Sequence, residues 1–402
     1  RYFINDAFYS DNGPVFLFIG GEGELSSDWV KEGAWIRYAE EHHALCIAVE
    51  HRFYGKSQPT GDLTMESLQY LSSKQALNDL RWFIQYMNSD YNMKYGIDEN
   101  TKWIAFGGSY SGNLAAWLRL KSPDLVHGAV ASSAPILAKV DFSDYFRVVA
   151  ESIRTYSSKC INVTSQAIDK VNELIQGGTR EQQVLDDKLH LCEPIQNFVN
   201  NSKYLSTLYV AITDNFAGAV QYDLSTRIGS ICNVLTTKEG GEPIDRLSTV
   251  ARSDGGCLDF NYNKTIANRQ WIYQTCTEFG YFQSSSAHPS FFGHGFPVEY
   301  YIGMCSDIFG QQFTADYITS QVDNTNRYYG GLDINVTNVV FVHGSIDPWH
   351  ALGLTKTRNP KAPVIYIKGT SHCEDMGDIN VTPEMEAVRR KISKYIKKWL
   401  LN

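Results

Sequence analysis

The chain has 402 residues, enough for one large domain or two to three ordinary ones. Its 36 Lys and Arg against 44 Asp and Glu give a formal charge of −8, and no cationic run is present to clamp phosphates, which argues against a nucleic-acid partner. Apolar residues at 43% and charged residues at 20% set aside a disordered chain or a coiled coil, and no run of about 18 apolar residues offers a membrane span.

In chain order, residues 14–19 form a short apolar run closed by Gly20-Gly21, which predicts a buried strand entering a tight loop. Residues 44–49 are a second such run, ending at Glu50-His51-Arg52. Between 73 and 87 the apolar positions 76, 77, 80, 83, 84 and 87 follow a helical period. A third strand is expected at 102–106, followed by Gly107-Gly108-Ser109, a helix through 114–120 that Pro123 ends, and a fourth strand at 128–133. Buried strands alternating with helices predict an α/β fold, a mostly parallel sheet with helices on both faces.

Residues 141–325 read differently. Helical periodicity at 165–175 and 198–216, with the cysteines clustered nearby, predicts an inserted, mainly helical subdomain. Strand patterns return at 339–342 and 363–367, and a final amphipathic helix is expected over 383–401. The core is therefore expected at 1–140 and 326–402.

Six of the eight cysteines lie between 160 and 305, as expected for a region stapled by disulfides, and none forms a CxxC pair of the kind that holds zinc. Glycosylation sequons occur at Asn162, Asn200, Asn263, Asn335 and Asn380. Together these features favour the secretory route, with a lysosomal, endosomal or secreted destination. The opening Arg1-Tyr2-Phe3 carries no initiator Met and no apolar signal segment, so a mature or trimmed form is expected.

The chemistry centres on Gly107-Gly108-Ser109-Tyr110-Ser111-Gly112, set between a predicted strand and a predicted helix. That context suits a nucleophile elbow, in which a turn too tight for bulky neighbours lifts the serine hydroxyl above the sheet edge. Ser111 stands where the usual pattern has Gly. A serine hydroxyl is a weak nucleophile near neutral pH and needs an imidazole base oriented by a carboxylate. Asp347 follows the strand at 339–342 and His372 follows the strand at 363–367, in the order and at the strand ends such a triad requires. His343 and His350 are the rival bases. The oxyanion needs two backbone donors, expected from Tyr110 and Gly21, and Glu22 beside them either points away or meets a cationic group of the substrate.

Gly-Gly-Ser-Tyr-x-Gly, the Glu50-His51-Arg52-Phe53-Tyr54-Gly55 segment, Ala131-Ser132-Ser133-Ala134-Pro135, Asp347-Pro348-Trp349 and the late His372 together resemble the S28 family of serine peptidases. That family includes prolyl carboxypeptidases and dipeptidyl peptidases. Residues 140–145 and Ser371-His372-Cys373 resemble its thymus-specific branch. The resemblance covers nearly the whole chain. It implies an α/β-hydrolase core with an inserted helical cap, the triad Ser109, Asp347 and His372, and exopeptidase action on short peptides. It also implies the bridges Cys160–Cys232, Cys192–Cys257 and Cys276–Cys305, with Cys46 and Cys373 free. Proline-selective members resemble one another in a compact pocket with a Trp after Asp-Pro, here Trp349, and a Met where this chain has Asn113. Proline and small or hydrophobic residues thus both stand as P1 candidates.

Which chain end is attacked stays open, because Arg52 could hold a carboxylate while Glu22 or Glu50 could hold an amine. An esterase or lipase could use the same triad, and a secreted hydrolase-like binding protein is the non-enzyme alternative. The expected partners are peptide substrates, with a second copy of the chain as a candidate. No cofactor and no metal are expected.

Overall fold

The computed structural model describes residues 1–402 apart from 90–93, 224–225, 253–254, 266–267, 379–380 and 402. A strand that is apolar at successive positions needs cover on both faces, and the chain supplies it with helices that return after each strand. Among the described residues seven strands form the main sheet: β1 (Tyr2–Asn5), β2 (Val15–Ile19), β3 (Leu45–Val49), β4 (Trp103–Gly108), β5 (Val126–Ser132), β6 (Val339–Gly344) and β7 (Val364–Ile367). Their spatial order is β1-β3-β2-β4-β5-β6-β7. All neighbours are parallel except β1, which pairs antiparallel with β3 in the register Tyr2↔Val49. The sequence reading did not anticipate β1: four residues at the sheet edge, covered on one side only, carry no buried-strand signature.

Helix α1 (Ala34–His42) packs on one face of the sheet, and α2 (Ser73–Met87) and α3 (Tyr110–Lys121) on the other. Side chains alternate across a strand, so Val15, Leu17 and Ile19 enter the layer under α2 and α3 while Phe16 and Phe18 enter the layer under α1. The Ser72 hydroxyl caps α2 by accepting from the Gln75 amide at 3.3 Å.

Between β5 and β6 the chain runs mainly through helices, among them α4 (Asp144–Tyr156), α5 (Ser158–Gln176) and α6 (Ser202–Gln221). Disulfides join Cys160 to Cys232, Cys192 to Cys257 and Cys276 to Cys305 in this stretch, and Cys46 and Cys373 are free thiols. A small parallel pair, Lys139–Asp141 with Gly280–Phe282, also forms here. Three residues are too few to show a period, so this pair left no signal in the sequence. The terminal helix α7 (Pro383–Leu401) returns to the α1 face and buries Ile392, Ile396 and Trp399. No helix among the described residues is long and apolar enough to cross a membrane.

Trp117 ties α3 to the stretch between β5 and β6. It is fully buried on α3 and stacks on Tyr329 of the helix Ala315–Tyr329, with ring centres 3.8 Å apart. Trp117→Ala is expected to lower unfolding free energy by about 3–5 kcal/mol through lost contacts and the residual cavity. A denaturant titration measures this, and a loss below about 1 kcal/mol would show that the stack contributes little.

Candidate active site

The site is assembled where parallel strands end. Ser109 sits between β4 and α3 at φ 57° and ψ −131°, a left-handed backbone conformation for a non-glycine residue. Such strain costs on the order of 1–3 kcal/mol and is held here by neighbours on every side. The Ser109 amide donates to the Ser132 carbonyl of β5 at 2.9 Å. A Cβ on Gly112 would lie 2.8 Å from that same Ser132 oxygen, and one on Gly107 would run into the Ser111 carbonyl. The Ser111 side chain fits where the usual pattern has glycine because its hydroxyl folds back onto the turn. It donates to the Gly108 carbonyl at 2.8 Å and accepts from the Gly108 amide at 3.0 Å.

His372 and Asp347 come together from the loops after β7 and β6. The His372 Nδ1–H donates to Asp347 Oδ2 at 2.8 Å, and Asp347 Oδ1 accepts from the Trp349 amide at 2.9 Å. The nearby Ser133 hydroxyl also favours the charged form of Asp347. Burial alone would raise the Asp347 pKa, but the charge and hydrogen bond of His372 and the Trp349 amide bring it below the usual carboxylate value. For His372, burial pulls the ring down, but Asp347 and Cys373 together push it up, holding it well above an ordinary histidine. The His372 amide donates to the Gln221 carbonyl at the end of α6 at 2.9 Å, and the Cys373 amide to the Ser133 hydroxyl at 2.9 Å. The imidazole's loop is thereby held from both α6 and the end of β5.

Ser109 and His372 both line a cavity of about 360 Å³, together with Gly21, Glu22, Glu24, Ser111, Tyr222 and Cys373 among others. Gly21 lies over the elbow, with the Ser111 Cβ as the nearest atom to its own Cβ position at 3.6 Å. Tyr110 is the first residue of α3, where the amide has no partner within the helix. Burial raises the pKa of Glu22 above the ordinary carboxylate value, against its own backbone amide and the His372 charge.

The other residues singled out from sequence fall in three places. Trp349 is buried with its ring centre 6.3 Å from that of His372, walled by Phe142, Tyr145 and Tyr281. Asn113 lies beneath that cluster with no solvent exposure, its Nδ2 donating to the Pro135 carbonyl and the Tyr281 hydroxyl, both at 3.2 Å. Glu50 and Arg52, the alternative end-capturing groups, are both engaged elsewhere. Glu50 accepts from the Leu25, Lys56 and Ser57 amides and from Arg1, and Arg52 is bonded to Asp79 at 2.5 and 2.6 Å. His343 is buried away from the cavity, and the His350 ring packs on Tyr366. Asn162, Asn200, Asn263 and Asn335 are exposed, whereas Asn380 lies outside the described residues. No group of His, Cys, Asp and Glu among the described residues could hold a metal ion.

The sequence reading missed Gln221 and assigned no part to Ser133. Ser133 stood inside the Ala131-to-Pro135 motif, and its left-handed φ of 47° marks it as a built position. Gln221 carried no signal, because it reaches His372 and Trp349 only through the packing of α6.

Known proteins resemble this chain along its whole length. Thymus-specific serine protease of Mus musculus is 36% identical over 435 residues, spanning all of this chain and 83% of its own. Its Homo sapiens counterpart is 33% identical, over all of this chain and 82% of its own. Lysosomal Pro-X carboxypeptidase of Homo sapiens is 28% identical, over all of this chain and 84% of its own. With a family profile that matches residues 1–392, the chain belongs to the serine carboxypeptidase S28 family and is a serine-type peptidase.

Proposed function

We propose that the protein is a serine exopeptidase that takes peptides by their free amino end. In this reading Ser109 Oγ attacks the scissile carbonyl, His372 accepts the hydroxyl proton and returns it to the leaving amine, and Asp347 holds the ring in the required tautomer. The amides of Tyr110 and Gly21 receive the oxyanion. Water, deprotonated by His372, then cleaves the acyl-enzyme and regenerates Ser109. The region 141–325 acts as the cap over this cleft.

The observation that carries the choice of end is the charge of the cavity wall. Among its described lining residues are Glu22 and Glu24 and no Lys or Arg. Glu24 is paired with Arg1 at 3.0 Å, which leaves Glu22 to meet an α-ammonium. No Lys or Arg among the described residues of the cavity wall is available to pair with a carboxylate, and Arg52 is held by Asp79. The aromatic cluster around Trp349 beside His372 favours a small or hydrophobic P1 residue, proline included. The disulfides and the exposed sequon asparagines fit a secretory or lysosomal glycoprotein.

Matched peptides differing only in acetylation of the amino end or amidation of the carboxyl end test the reading. Acetylation is expected to abolish turnover and amidation to leave it intact; the reverse pattern overturns amino-end capture. Glu22→Gln is expected to raise KM for free-amine peptides by about ten-fold, the weight of one charge-assisted hydrogen bond of about 1.5 kcal/mol. Because burial raises the Glu22 pKa, its charge is lost as pH falls through that value, so wild-type KM for these peptides should rise toward acid.

A further inference from the structure

The Glu50-to-Gly55 segment has so far been explained only at Glu50 and Arg52. His51 and Tyr54 lead to a buried chain of hydrogen bonds that ends at the elbow. The Tyr110 hydroxyl lies 3.0 Å from His51 Nε2 and 3.0 Å from Gln274 Nε2. Gln274, with no solvent exposure, donates its second amide hydrogen to Glu278 at 3.1 Å, and its Oε1 accepts from the Tyr54 hydroxyl at 2.6 Å. Glu278 in turn accepts from the Ser73 hydroxyl at 2.6 Å and the Ser73 amide at 3.0 Å.

The Arg52 carbonyl can only accept, so His51 Nδ1 carries the proton and donates to it at 2.7 Å. In the neutral ring Nε2 then carries no proton and accepts from the Tyr110 hydroxyl, whose oxygen accepts from Gln274 Nε2. Burial agrees with this tautomer, since it pushes the His51 pKa down to about 4 and keeps the ring an acceptor through the neutral range.

Gln274 is itself held from outside the core. It precedes a π-helical turn, Thr275–Phe279, whose Cys276 is bridged to Cys305. The turn ends at Gly280 with φ 68°, where a Cβ would lie 2.7 Å from the Val140 Cα. Wider turns of this kind are rare and are found mostly at functional sites. The Tyr110 ring is further packed against Trp271 and Phe279, with centres 5.6 and 5.3 Å away.

Tyr110 follows the strained Ser109 and carries an amide without a helical partner at the start of α3, so a rotation of its backbone turns that amide. We propose that His51 and Gln274 are positioning residues that grip the Tyr110 hydroxyl from the core and from the inserted region, and so aim the Tyr110 amide at the oxyanion. The inference rests on the Ser109 reading above. It makes oxyanion stabilisation depend on how the π-turn region docks on the core.

The test uses the full chain and three ligands: a peptide substrate, the corresponding free-amine peptide aldehyde, which forms a hemiacetal oxyanion on the nucleophile, and the cleaved product. Tyr110→Phe is expected to lower kcat about ten- to a hundred-fold with KM within about three-fold of wild type, less than the loss of a whole oxyanion donor. Aldehyde affinity should fall by the same factor as kcat, and product affinity should hold. Gln274→Met, which leaves the His51 bond intact, should move the same quantities in the same direction by less. In the double variant the two losses should not add, because both act through one hydroxyl. Unchanged kcat and aldehyde affinity in the folded variants, or an equal loss of aldehyde and product affinity, would overturn the inference. Failure of the underlying reading looks different: Ser109→Ala would then retain turnover, and the wild type would not bind the aldehyde.

Discussion

Ser109→Ala is expected to lower kcat by about a million-fold while leaving peptide binding near its wild-type strength. In the proposed mechanism the hydroxyl is the group that bonds covalently to substrate, and the alanine Cβ keeps the elbow geometry. Gly107 and Gly112 still fit under Ser111 and Ser132, and the Ser109 amide still reaches the Ser132 carbonyl. Only the residual catalysis of the two oxyanion amides and of substrate binding should survive. A fluorophosphonate probe read by intact mass gives an independent measure: one adduct on the wild type, located at Ser109, and none on the variant. Retention of more than about one per cent of kcat would remove Ser109 from the mechanism, since the loss of a nucleophile is far larger than that. Ser109→Gly separates strain from chemistry. It should be equally inactive but more stable by about 1 kcal/mol, because glycine adopts positive φ without strain.

Asp347→Asn should cost about ten-thousand-fold in kcat with the fold intact. The carboxylate does two things at once. Its Oδ1 accepts from the Trp349 amide, which secures the loop, and its Oδ2 accepts from His372 Nδ1, which leaves Nε2 as the acceptor that the proposed mechanism requires. An asparagine that kept the Trp349 bond would present its NH₂ to His372 and favour the wrong tautomer.

The same substitution changes the pH dependence in a definite direction. Burial lowers the His372 pKa, but Asp347 together with Cys373 raises it, so the folded value lies above the usual 6.5. A raised folded pKa means that the pair stabilises the fold fully below 6.5 and loses that contribution as pH rises through the folded value. Activity runs the opposite way, because only the neutral ring can accept a proton. In the wild type the acid limb of kcat/KM should follow His372. In Asp347→Asn the residual activity should extend to lower pH, and the melting temperature should fall most at acid pH. An acid limb that does not move would mean that Asp347 is not coupled to the base.

Much of this architecture could be read from local patterns. The apolar runs at 14–19, 44–49, 102–106 and 128–133 all became strands of the main sheet, and 73–87 and 383–401 became helices over those bounds. The reason is physical: a strand buried on both faces must be apolar throughout, and a helix packed on one face must repeat at 3.6 residues. The edge strand β1 and the Lys139–Gly280 pair escaped because short, half-covered strands carry neither signature. The elbow was legible for a related reason, since only small residues fit around Ser109 and the chain has Gly107, Ser111 and Gly112 there. Asp347 and His372 were legible because each follows a recognisable strand.

The sequence by itself determined the sheet, its helical cover, the membership of the S28 family and three residues whose order and strand context suit a triad. Only the tertiary structure decided which charges are free to act. Glu50, Arg52 and Glu22 look alike as charged residues in glycine-rich or turn-rich loops. Backbone amides and Arg1 engage Glu50, Asp79 engages Arg52, and Glu22 alone of the three faces the cavity with Ser109. The Ser111 hydroxyl that replaces a glycine, the Gln221 carbonyl that holds His372, and the hydroxyl of Tyr110 gripped from His51 and Gln274 were equally invisible. Hydrogen-bond partners up to about 160 residues apart leave no period and no local composition, and whether a polar group is satisfied depends on what folds over it.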